Sequence, residues 1–172
     1  MAANKLIHEQ GKYLDVTPFH GKYCTINMIG QDVGYARVGI ISSGREFILF
    51  QFRGRRGLAA KAYVKDITEV RMTPRLLKKE PELVVEDWDE EVNPFCYFAG
   101  ERCDIHMHQT RLFEATPGFF KAKILYVDQQ NYLIRIKENS RQFNVQIPMI
   151  CGIMESTRDG RLHPGKGTSC QD

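Results

Sequence analysis

The sequence lacks most of the features that mark secretion, membranes or catalysis. Its 172 residues contain no apolar run near the roughly 18 residues needed to span a bilayer. From Met1 the chain reaches Glu9 before an apolar leader segment can form, so no secretory signal is expected. The five cysteines, Cys24, Cys96, Cys103, Cys151 and Cys170, are an odd, scattered set with no CxxC pair. That pattern excludes a zinc knuckle and a dithiol redox motif. Cysteines alternating with apolar neighbours read as small, reduced core side chains. GxSxG, the P-loop and GxGxxG are also absent, which removes the usual hydrolase and nucleotide-binding frameworks. Ser42, Ser43 and Ser140 have no base placed beside them by spacing. The paired acids Glu90 and Glu91 lie away from any apolar stretch that would separate their pKa values. No enzymatic activity and no cofactor are expected, and the cytoplasm is the expected compartment.

An apolar fraction of 42% and a charged fraction of 26% are those of a folded chain. Net charge is only +3, but it is unevenly spread. Residues 1–75 carry twelve Lys and Arg against six Asp and Glu, residues 76–100 two against seven, and residues 101–172 ten against eight. A basic first half, an acidic connector and a nearly neutral second half describe two units with different surfaces.

The texture is β. Tyr23, Thr25 and Asn27 alternate with Cys24, Ile26 and Met28, a period of two; Val38–Ile41 reads as a second strand and Phe47–Phe52 as a β run rich in aromatic and β-branched residues. Arg53-Gly54-Arg55-Arg56-Gly57 reads as a hairpin tip, followed by Lys61–Val64 and Ile67–Val70. A second series runs through Arg102–His108, Phe119–Val127, Tyr132–Ile136 and Phe143–Ile147. The two series match in order. His20-Gly21-Lys22-Tyr23-Cys24-Thr25-Ile26-Asn27-Met28 lies over Ala99-Gly100-Glu101-Arg102-Cys103-Asp104-Ile105-His106-Met107, sharing Gly, Cys, Ile and Met. Val64, Ile67 and Val70 lie over Ile147, Ile150 and Ile153, which makes the second copy longer by about four residues. The excess is assigned to the Ala115–Gly118 loop. Five short antiparallel strands in about 55 residues are expected to curl into a small barrel, which removes exposed edges.

The expected architecture is mainly β: two tandem five-stranded barrels of Sm/SH3-like type with a short N-terminal helix over about Asn4–Phe19. Its parts are a first barrel with an N-terminal arm (1–74), an acidic connector (75–94), a second barrel (95–154) and a disordered tail (155–172). The acidic run Glu86–Glu91 around the only tryptophan, Trp88, has two readings. One is a solvated linker; the other is an acidic arm lying on the basic first unit with Trp88 as its anchor.

Glu46-Phe47-Ile48-Leu49-Phe50, a hairpin, and Tyr63-Val64-Lys65-Asp66-Ile67-Thr68-Glu69-Val70 resemble the second half of an Sm-like domain, nearest the bacterial Hfq branch. In the second unit, Phe120–Ile124 and Asp128 followed by Tyr132-Leu133-Ile134 resemble the bent strand, Asp turn and strand of the Sm1 motif. The resemblance implies single-stranded RNA as a ligand and a homo-oligomer as the assembly.

Candidate contacts to RNA, or to DNA after it, are Arg45, Arg53, Arg55, Arg56, Lys61 and Lys65 on phosphates. Tyr63 or a neighbouring Phe would stack a base. A hairpin tip also needs charge and glycine for solvation alone. The alternative function is a protein-interaction adaptor or inhibitor built from tandem Tudor/SH3-like barrels, with a protein partner. Asp104, His106 and His108 share a strand face, and Asp-x-His-x-His supplies three ligand types for a transition metal; an ordinary exposed strand face is the plainer reading.

Overall fold

The computed structural model describes residues 14–29, 34–108, 118–156 and 170–171. The chain is mainly β and divides into two compact units, Met1–Glu90 and Glu91–Asp172.

In the first unit the strands are β1 (Tyr23–Met28), β2 (Tyr35–Ser43), β3 (Phe47–Phe52), β4 (Arg55–Ala60) and β5 (Val64–Glu69). All pairings are antiparallel, in the order β5-β1-β2-β3-β4. Period-two alternation puts Cys24, Ile26, Val38, Ile40, Ile48, Phe50 and Ala59 into the core, each at 1% exposure or less. The β3–β4 connection is the two-residue turn Arg53-Gly54, with φ of 48° and 78°. Two left-handed residues match the twist of the flanking strands, and glycine takes the second without strain. One 3-10 turn, Lys61–Tyr63, links β4 to β5.

The second unit repeats this arrangement with β6 (Arg102–Met107), β7 (Gly118–Asp128), β8 (Leu133–Glu138), β9 (Arg141–Gln146) and β10 (Ile150–Glu155). Its order is β10-β6-β7-β8-β9. Within each unit the path is open: among the described residues no ladder joins β4 to β5, or β9 to β10.

The likeness of the halves extends to their irregularities. β1 shifts register against β2 between Cys24 and Ile26, and β6 against β7 between Cys103 and Ile105. β1 and β5 slip between Asn27 and Met28, as β6 and β10 do between His106 and Met107. Ile29 N donates to Tyr63 O and His108 N to Met149 O, each at 2.7 Å. Arg37 and Lys121 hold matching left-handed backbones at φ of 57° and 50°. β-Bulges sharpen the bend of a strand, so both sheets turn at equivalent points.

Four expectations change in detail. β1 lies 79 residues before β6, but β3, β4, the 3-10 turn and β5 lie 86 residues before β8, β9, Ile147–Met149 and β10. Val64 therefore corresponds to Ile150 rather than to Ile147. The second copy is seven residues longer, and the excess falls on both sides of β7. The expected N-terminal helix lies mostly outside the described residues, whose part of it is a 3-10 turn at Thr17–Phe19. In the tail, Glu155 closes β10, and Cys170–Gln171 forms β11, which pairs in parallel with Val127 and Asp128 of β7; the residues between lie outside the described set. Finally, Cys24, Cys103 and Cys151 are free and buried, whereas Cys96 is disulfide-bonded. Pairing over long separations is invisible to spacing rules.

Candidate nucleic-acid interface

The β3–β4 hairpin gathers three of the predicted cations. Phe52 and Arg55 face each other across the ladder, as do Gln51 and Arg56. The Arg53 and Arg55 guanidinium carbons lie over the Phe52 ring, 5.1 and 5.5 Å from its centroid, within cation–π range. Arg55 Nε is buried and has no hydrogen-bond partner among the described residues. Two forked donors stacked on an aromatic ring can take phosphate oxygens at their edges and offer a planar guanidinium face to a base.

Alternation sends Arg56 to the opposite face from Arg55. Arg56 Nη2 meets Glu86 Oε1 at 2.5 Å. This acid belongs to the segment expected as a solvated linker, and the linker reading gives way to the acidic-arm reading over Glu80–Glu90. Ahead of the arm, Thr73 caps a four-residue helix, α1 (Pro74–Leu77), through Oγ1 accepting from Leu76 N. The arm then crosses the face of the first sheet opposite its core. Arg53 N donates to Glu80 Oε2 at 2.8 Å, and Gln51 Nε2 to Pro81 O at 3.1 Å. The bulge at Ile41 leaves its carbonyl outside the β2–β3 ladder, where it accepts from Glu86 N at 3.1 Å. At the far end Arg45 N donates to Glu90 Oε1 at 2.7 Å.

Two glycines make room for the arm's apolar groups. A Cβ on Gly39 would lie 2.8 Å from Leu83, and one on Gly44 would overlap the Trp88 indole nitrogen. Tyr23, Gly39, Gln51 and Arg56 form one register-paired row across β1 to β4, and the arm crosses that row, running lengthwise from Arg53 to Arg45. Sequence reasoning missed Gly39, Gln51 and Leu83 as parts of this surface. The signal was the acidic run around the sole tryptophan.

The remaining predicted residues lie elsewhere. Arg45 precedes β3 and Arg53 follows it, so a whole strand, roughly 20 Å, separates them. Lys61 is 7% exposed and its Nζ donates to Leu14 O at 3.0 Å. Burial lowers its pKa, partly offset by Asp15 and Glu90. It occupies the position that Ile147 takes in the second unit, and its ammonium tethers the N-terminal segment. Tyr63 is half-buried in the 3-10 turn, and its carbonyl accepts from Ile29 N. Lys65 is exposed on β5 at the bulge, away from the hairpin tip.

Asp104 and His106 share the outer face of β6, with His108 just beyond its end. Asp104 Oδ1 already accepts from Lys121 N at 2.9 Å and Ser156 Oγ at 3.0 Å. Among the described residues no three His, Cys, Asp or Glu side chains are grouped to hold a metal. Burial drives the Cys24 thiol up to about 11, and the Cys103 thiol also rises, so both stay protonated and unreactive at neutral pH.

Burial also holds His20 and His106 below the ordinary 6.5, opposed by Asp15 for His20 and by Asp104 for His106. His20 Nε2 meets Ser43 Oγ at 2.7 Å. The unfolded chain binds these protons more readily, so their stabilisation is full above about pH 6.5 and is lost as pH falls through the folded values. Urea midpoints should therefore drop on acidification through that window, and His106→Gln should flatten the slope.

Comparison with protein-family models, curated proteins and solved structures finds no match to this chain. Among the described residues, no helix is long and apolar enough to cross a membrane.

Proposed function

We propose that the chain is an RNA-binding regulatory protein without catalytic activity, and that single-stranded RNA docks on the β3–β4 hairpin. The observation that carries this reading is the cluster of Arg53 and Arg55 on Phe52, with Arg55 Nε buried and unsatisfied. Phosphates fit the guanidinium forks and a base can stack on the guanidinium planes that Phe52 backs, a pairing suited to unstacked nucleotides. Duplex readout through an inserted helix has no support, because the only α-helix among the described residues is the four-residue α1. In this reading the two units are Sm-like small barrels. Their shared pairing order, with the last strand returning to the first, and their matched bulges suit curled sheets. The cytoplasm is the proposed compartment, and self-association through the outer strands of the sheets is the proposed assembly.

Titration with a fluorescent oligouridylate at several salt concentrations tests this. Affinity should fall steeply with salt, with a logarithmic slope of about −0.7 per neutralised phosphate. A flat salt dependence, or no binding at low salt, would remove the proposal.

One observation favours the adaptor reading instead. Asp104, Ile105, His106, Gly118, Phe119, Phe120 and Glu138 line a pocket of about 260 Å³ in the second unit, and Phe120 is 67% exposed. An apolar pocket beside an exposed ring suits a protein side chain. A partner recovered with the chain after nuclease treatment and a high-salt wash would favour it.

A further inference from the structure

The arm does more than cover apolar surface. Its carboxylates sit where an anionic ligand of the hairpin would place charge. Glu86 occupies Arg56, Glu80 takes the main-chain N–H of Arg53 at the turn, and Glu90 takes that of Arg45. Between them the chain has no regular secondary structure from Pro81 to Asp89. A segment of irregular backbone with acids spaced along it resembles a short polyanion in charge.

The arm is also held lightly. Val84 and Val85 remain 56% and 50% exposed, and no strand ladder includes the segment. Among the described residues the buried Trp88 indole N–H has no acceptor, a cost that solvation on release would relieve. Local opening of this kind exposes the apolar contacts of Leu83 and Trp88 and breaks no strand pairing.

We infer that Glu80–Glu90 is an intramolecular competitor for the hairpin, an autoinhibitory strap that RNA must displace from the face of the first unit. This rests on the RNA-binding reading and adds the regulation of that site. With the strap docked, Arg56 is neutralised and carboxylates face the approaching phosphates. Displacement frees Arg56, on the other face of the hairpin from Arg55, to take a further phosphate. Apparent affinity is then the intrinsic affinity multiplied by the fraction of molecules with the strap released, so a strap docked nine-tenths of the time weakens binding about tenfold.

The test uses the full chain, with an oligouridylate as probe and Trp88, the only tryptophan, as reporter. Gly44→Ala expels the indole by steric overlap and alters no charge. Trp88→Ala with Glu86→Gln releases the strap without touching β2. Each should bind the oligouridylate about tenfold more tightly than the wild type. In the wild type, Trp88 emission should shift to the red as RNA is added, with the same midpoint as binding. If the released variants bind RNA no better than wild type, or emission stays fixed while RNA binds, the strap inference falls alone. If neither the wild type nor the released variants bind, the RNA reading falls and the inference falls with it.

Discussion

Arg53→Glu combined with Arg55→Glu lowers affinity for single-stranded RNA by at least about a hundredfold. Hydrogen bonds to charged groups contribute about 1.5–3 kcal/mol each, so losing two removes about 3–6 kcal/mol, or two to four orders of magnitude. Reversing the charges adds repulsion of the phosphates, and Phe52 loses both cations that lie over it. The salt dependence should flatten as well, by about 0.7 in logarithmic slope for each phosphate the variant no longer neutralises. Lys137→Glu, which reverses an exposed cation on β8 in the second unit, serves as the control and should leave affinity within about twofold. Gly54, the glycine of the turn, is untouched, and at Arg53 one non-glycine residue replaces another at the same left-handed backbone. Unchanged circular dichroism with undiminished binding would show that RNA, if bound, lies elsewhere. Arg56→Glu is a weaker test than either, because its guanidinium already faces Glu86 and its loss would also loosen the arm.

Much of the strand framework was legible because burial writes itself as alternation. Cys24, Ile26 and Met28, with Cys103, Ile105 and Met107, carry one face of a strand each, and Cys24, Ile26, Cys103 and Ile105 are fully buried. The register of the closing strands was misjudged for a physical reason. Val64, Ile67 and Val70 are spaced by three, and so are Ile147, Ile150 and Ile153, so sliding the copies by three residues preserves the match. The sequence does not announce that a 3-10 turn, itself three residues long, precedes β5 and β10. Lys61 was misread for a related reason. A lysine near an arginine-rich hairpin looks like part of its patch, while its burial follows from sharing the place of Ile147. The arm stood as one of two readings because acids in a row are ordinarily solvated. Its seat depends on Gly39 and Gly44, whose missing side chains reveal nothing until Leu83 and Trp88 fill the space.

Gly118→Ala costs the second unit about 3 kcal/mol or more, the upper end of what overpacking does to a core. A Cβ at this position would overlap the Ile105 carbonyl oxygen and lie 3.0 Å from its carbon. Neither atom can swing aside, because both belong to the backbone of β6, where Ile105 pairs with Phe119 and Ile153. The strands must separate at the start of β7, and the His106↔Gly118 pairing goes with them. Gly34 holds the equivalent place in the first unit, with a Cβ 2.6 Å from the Ile26 carbonyl oxygen. That overlap is milder, and Gly34→Ala should destabilise its unit by a smaller amount. Gly54→Ala separates this steric demand from backbone strain. Nothing lies within 4 Å of its Cβ, but its φ of 78° is left-handed, and alanine there costs only about 1–2 kcal/mol. Denaturant midpoints should therefore rank Gly118→Ala as the most destabilised of the three. If Gly118→Ala unfolds at the wild-type midpoint, β6 and β7 do not approach each other as closely as their ladder requires.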